Sequence, residues 1–170
     1  MRFPCLLFCA ACLCVAQQLS AQTAPDDKVR FIQTVFQQID LDTGLSAISL
    51  TDHEFAAEQA GKSGQLKGYF KGDTLCKATL SVGLSYATVK EYYYFSHGQL
   101  VYAYETEEAY GKGSPNFEGR YYFDGYKTLS VLLKGKKKEG PDDVHHSLEL
   151  YHNANYYAGL LQKAARRRRT

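Results

Sequence analysis

Tryptophan is absent from this chain, methionine occurs once, and only four prolines punctuate 170 residues. Cysteine is scarcer than its count of five suggests, because Cys5, Cys9, Cys12 and Cys14 all lie in the first fourteen residues and Cys76 stands alone thereafter. A single thiol cannot close an internal disulfide, so a buried core has to hold the fold. No excess of one charge sign exists either. The formal net charge of +2 gives no global field, and no nucleic-acid partner is expected. The chain shows no Ser–His–Asp order, no zinc-protease spacing and no Gly-rich phosphate loop between strand and helix, so no catalytic residue, cofactor or metal site is assigned. No apolar run reaches the ~20 residues that a spanning helix needs.

What is abundant is tyrosine, fourteen residues beside nine phenylalanines. Aromatics suit a pleated, half-buried surface, which favours sheet over helix. Residues 1–21 read differently from the rest. Met1-Arg2 is a short basic start, Phe3 to Val15 an apolar stretch, and Leu19-Ser20-Ala21 a small-residue end. This is the pattern of an export signal peptide cleaved near Ala21, and it places the mature protein in the periplasm or outside the cell. The expected organisation is a signal peptide at 1–21, one domain at 22–165 and a basic tail at 166–170.

Between Gly64 and Lys134 one phrase recurs three times. Gly68-Tyr69-Phe70-Lys71-Gly72-Asp73-Thr74-Leu75 is the first copy, and Tyr93-Tyr94-Phe95-Ser96-His97-Gly98-Gln99-Leu100 the second. Tyr121-Tyr122-Phe123-Asp124-Gly125-Tyr126-Lys127-Thr128-Leu129 is the third, one residue longer up to its Leu. Each is an aromatic run, a Gly-containing turn and a new apolar run, which predicts three β-hairpins in series. In the second, a two-residue turn at His97-Gly98 sets Phe95 against Leu100. Continued without a break, that register pairs Tyr93 with Tyr102, Glu91 with Tyr104, Tyr92 with Ala103 and Lys90 with Glu105. In the first, Cys76 alternates with Ala78, Leu80 and Val82, so a buried structural thiol is expected. Leu45 to Phe55 is a candidate first strand.

Amphipathic helices flank the hairpins. Asp27 to Asp40 opens with acidic residues and carries Val29, Ile32, Val35 or Phe36, and Ile39 on one stripe. Val144 to Ala165 carries Leu150, Ala154, Tyr157 and Leu161, with Leu148 and Ala158 beside them. Gly159 marks a point of kinking or close packing. Together these features predict an α+β domain: an antiparallel meander of about six strands, packed by an N-terminal and a C-terminal helix that seal one side of the sheet.

Candidate binding residues follow from that architecture. Tyr92 and Tyr94 with Lys90 form an aromatic platform with a cation, suited to a peptide, protein or glycan of the cell envelope. Glu91 sits on a partly apolar face, where burial raises a carboxyl pKa, and is the one place for an alternative, hydrolase-like site. The 107–116 stretch is a long, Gly-rich connection of the kind that carries function. Arg166, Arg167, Arg168 and Arg169 offer contact with an anionic membrane surface. His145, Glu149 and His152 share a helix face without completing a metal motif.

The repeated Tyr-Tyr-Phe-x-x-Gly-x-Leu hairpin resembles a pattern of small exported proteins of Bacteroidota, over Leu66 to about Leu133. It is also faintly similar to MORN-type hairpin repeats, without their Trp. The resemblance implies a hairpin fold and export, and brings no catalytic residues with it.

Overall fold

Two-residue turns organise the sheet. The computed structural model describes residues 25–55, 64–111, 115–137 and 144–168; the expected signal peptide and Arg169 lie outside them. Strands β2 (Gly64–Lys71) and β3 (Thr74–Gly83) join through Gly72-Asp73, β4 (Ala87–Ser96) and β5 (Gln99–Ala109) through His97-Gly98, and β6 (Phe117–Asp124) and β7 (Lys127–Gly135) through Gly125-Tyr126. His97 and Gly98 both take positive φ, 50° and 78°, as a type I′ turn demands. With β1 (Ser46–Thr51) on the outside, the order is β1-β2-β3-β4-β5-β6-β7, an antiparallel seven-stranded meander. The predicted first strand over 45–55 divides instead into β1 and a four-residue helix, α2 (Asp52–Phe55).

Each hairpin also carries a bulge at the same place. The register shifts at Tyr69/Phe70, Tyr94/Phe95 and Tyr122/Phe123, which leaves Cys76, Val101 and Leu129 as the extra residues. The repeat is therefore deeper than its sequence phrase: the third copy has the same turn length as the others, with Thr128 where Leu75 and Leu100 stand. Each bulge also shifts the register predicted from the turn. Beyond Phe95–Leu100, the true partners are Tyr94–Tyr102, Tyr93–Ala103, Tyr92–Tyr104, Glu91–Glu105 and Lys90–Thr106. Cys76 is half-buried at its bulge rather than in the core, and Leu75 takes the interior position.

The two long helices lie on opposite faces, not on one side. Helix α3 (Val144–Arg167) sets Leu150, Ala154, Leu161 and Ala165 against Leu66, Phe70, Ala78, Tyr93, Phe95, Ala103, Tyr121 and Phe123. The three equivalent phenylalanines of the hairpins all belong to this core. Gly68 is where the helix comes closest, since a Cβ there would meet the Leu161 methyls at 3.0 Å. Leu148 is exposed, and the helix passes through Gly159, which faces open space. Helix α1 (Pro25–Leu41) sets Val29, Ile32, Phe36 and Ile39 against Tyr94, Tyr102 and Tyr122 on the other face. Adjacent strand residues point to opposite faces, so Tyr93 and Tyr94, neighbours in the chain, serve different cores.

Candidate functional site

On the α1 face, tyrosines line up across the strands. Tyr94, Tyr102 and Tyr122 form one cross-strand row, with ring centroids 5.5 and 5.0 Å apart, and Phe36 stacks on Tyr102 at 4.3 Å. The helix covers this row. The Tyr94 hydroxyl donates to Asp40 at 3.0 Å, and burial followed by the Asp40 charge raises the Tyr94 pKa. Ion pairs anchor the two ends of α1, Lys28 to Asp124 at 2.5 Å and Lys77 to Asp40 at 2.6 Å.

The next row, one step away from the hairpin turns, runs Lys67, Thr79, Tyr92, Tyr104, Arg120, Leu132. Tyr92 and Tyr104 are half-buried, with centroids 5.7 Å apart and planes at 34°. Cations approach the rings: the Arg120 guanidinium 5.5 Å from the Tyr104 centroid, the Lys77 ammonium 5.5 Å from that of Tyr92. A further row contains Lys90, which bonds Glu108 at 3.0 Å; that hydrogen bond is the main cause of its raised pKa. Thr106, opposite Lys90, buries its hydroxyl with no partner among the described residues.

Of the three platform residues expected from sequence, Lys90 and Tyr92 share this surface and Tyr94 lies beneath α1; Glu91, expected on the other face with Tyr93 and Phe95, points there. Tyr104 and Arg120 complete the platform and were not anticipated. The Val101 bulge brings Tyr104 opposite Tyr92, and no local sequence signal announces it.

Glu91 belongs to a polar cluster between β4, β5 and α3. It stands directly across from Glu105 and accepts a hydrogen bond from Tyr93. Burial pushes the Glu91 pKa up to about 7; the Tyr93 bond opposes this and the Glu105 charge adds to it. Burial alone would raise Glu105 as well, but there the His146 hydrogen bond and the Lys137 charge win and lower it. Lys137 Nζ reaches Glu105 at 2.5 Å, and His146 bonds Glu105 through Nε2 and Glu149 through Nδ1, each at 2.9 Å. Burial works against the imidazolium, yet the Glu105 bond and charge outweigh it and raise the His146 pKa. Two carboxylates with diverging pKa values are an acid–base arrangement in principle. In this cluster Glu105 is fully engaged by Lys137 and His146. Glu149 pairs with His146, and no metal-binding group of three occurs among the described residues.

The basic C-terminus of α3 bounds a separate groove. Leu50, Leu160 and Ala164 line it together with Lys163, Arg167, Arg168 and Glu54, around a volume of about 360 Å³. The 107–116 stretch is not a loop throughout. Glu107 to Ala109 extends β5, Asn116 bonds Glu107 and the Ala109 amide, and 112–114 lie outside the described residues. No protein-family profile, no curated protein and no solved structure matches the chain.

Proposed function

We propose that this is an exported, non-enzymatic binding module that takes a glycan chain of the cell envelope across the uncovered half of its α1-side sheet face. The Tyr92–Tyr104 pair carries the proposal. These two half-buried rings lie side by side beyond the row that α1 covers, with Arg120 and Lys77 at their faces. Aromatic rings present an apolar face to the C–H surface of a sugar and a polar hydroxyl at the edge. Lys90, Glu108, Glu118 and Arg120 supply hydrogen-bonding groups around them. Net charge near zero fits a mostly neutral polymer better than a polyanion. Export is supported by the basic, apolar and small-residue succession over residues 1–21.

Electrophoresis of the protein through gels containing envelope polysaccharide tests the idea. Wild type is retarded, and Tyr92→Ala/Tyr104→Ala migrates as in a blank gel while keeping its melting temperature within a few degrees. Equal migration of wild type with and without polysaccharide, or equal retardation of the double variant, overturns the glycan assignment. Capture of an extended peptide by the same rings, with no retardation by any glycan, replaces it with a peptide-binding one.

A further inference from the structure

The sheet has two edges, and only one of them is closed. At the β1 edge, Arg168 donates to the Ser49 carbonyl at 3.4 Å and Glu54 accepts from the Thr51 amide at 2.8 Å. Side chains thus occupy backbone groups that this six-residue strand would otherwise offer to another chain. The β7 edge is longer, nine residues, and has only β6 as its neighbour. Among the described residues, no group bonds the backbone along its outer side. Lys134, the cation nearest the middle of the strand, turns to Glu118 of β6 at 3.4 Å rather than guarding the edge. Leu132 and Leu133 are 52% and 42% exposed, and no other large apolar side chain on a described strand is so open. As neighbours in a strand, they put apolar surface on both faces of the sheet at once. An unpaired, apolar edge of this length is a template for a further strand.

We propose that β7 docks a second copy of this chain, antiparallel β7 to β7, about a two-fold axis at Leu132. Leu132 lies in the Tyr92–Tyr104 row on the α1 side, whereas Val131 and Leu133, paired with Tyr121 and Gly119, face α3. An axis at Leu132 sets that residue opposite its own mate, and Val131 opposite Leu133 of the partner subunit. All three apolar side chains then meet apolar side chains, and Lys134 falls opposite Ser130. Moving the axis to Val131 sets Leu132 against Ser130. An axis between Ser130 and Val131 sets Lys127 against Lys134, and like charges directly opposite are unfavourable. This self-complementarity is what favours a second copy over a foreign peptide. The pairing rests on the strand edge and not on the glycan reading, so the two fail separately. Because Leu132 ends the Tyr92–Tyr104 row, the rows of both copies meet end to end in the dimer.

Sedimentation velocity of the full chain tests the pairing. Wild type is expected to pass from monomer to dimer as its concentration rises through the micromolar range. Leu132→Lys and Leu132→Glu each set like charges against each other at the axis, and each should weaken the dimer about tenfold or more. An equimolar mixture of the two should restore it, since opposite charges then face across the axis; restoration also shows that both variants are folded. Leu148→Lys, the same change at an exposed leucine of α3, should leave dimerisation at the wild-type level. A wild type that stays monomeric, or a dimer that Leu148→Lys weakens as much as Leu132→Lys does, overturns the β7 edge as a self-docking site. A mixture no more dimeric than its two components overturns the axis at Leu132. A monomeric wild type that captures an extended peptide along β7 replaces the second copy with a peptide.

Discussion

The two faces of the sheet are built by opposite strategies. Toward α3, side chains from every strand except β7 pack to near-complete burial, and Gly68 lets the helix approach closely. The same face then buries Glu105, His146 and Lys137 beside Glu91. Toward α1, a smaller aromatic patch is covered by a helix whose ion pairs are largely solvent-exposed, and beyond it Tyr92 and Tyr104 are only half-buried. Tight burial with an internal ion network leaves little room to change without collapse. A tyrosine surface held by rim contacts can lose or gain partners. Stability therefore concentrates on the α3 side, and the proposed recognition falls to the α1 side.

The most severe way to break this contrast is Glu105→Ala. It strands Lys137 and His146 in the interior, and loss of one partner from a buried pair costs about 3–5 kcal/mol. Urea unfolding should show a midpoint far below wild type. A loss under 1 kcal/mol would mean that the network is open to water and the two faces are alike.

The pH dependence sharpens the comparison at somewhat smaller size. Glu91 has its pKa raised from 4.5 to about 7 in the fold. Its contribution is fully present below pH 4.5, declines as pH rises and is lost past about 7, amounting to about 3 kcal/mol. His146, also raised, loses its contribution as pH rises from 6.5 through its folded value. Glu105 is lowered, so its share is present above 4.5 and disappears as pH falls through its folded value. Stability should peak in mildly acidic solution and decline toward pH 8, and Glu91→Gln should flatten the alkaline limb. An unchanged limb in that variant would remove Glu91 from the account.

The smallest effect separates the covered from the open tyrosines. Tyr94→Phe removes the hydroxyl that bonds Asp40 and should cost about 1–2 kcal/mol by denaturant titration, whereas Tyr92→Phe should be close to neutral. Equal effects would mean that α1 does not distinguish the two rows.

Much of this was legible along the chain. The turn residues, the equivalent Phe70, Phe95 and Phe123, and the stripes of both long helices are local patterns, and each forms as its spacing predicts. The candidate site was legible only in part. Tyr92 and Lys90 were placed on one strand face by alternation alone. Tyr104 was set opposite the wrong residue, because an extra residue at Val101 changes parity for every pair beyond it. Lys137 stands in the charged run Lys134-Gly135-Lys136-Lys137-Lys138-Glu139, and nothing around it signals that it ends beside Glu105 of β5, 32 positions earlier in sequence.

By itself, the order of residues determined the up-and-down ribbon and the two amphipathic helices, since period-two and period-3.6 patterns and tight turns act over a few neighbours. Only the tertiary structure decided which helix covers which face and which tyrosines remain open. An amphipathic stripe records that a helix is buried on one side but not against what, and a single bulged residue reverses the side that every later residue of its strand presents.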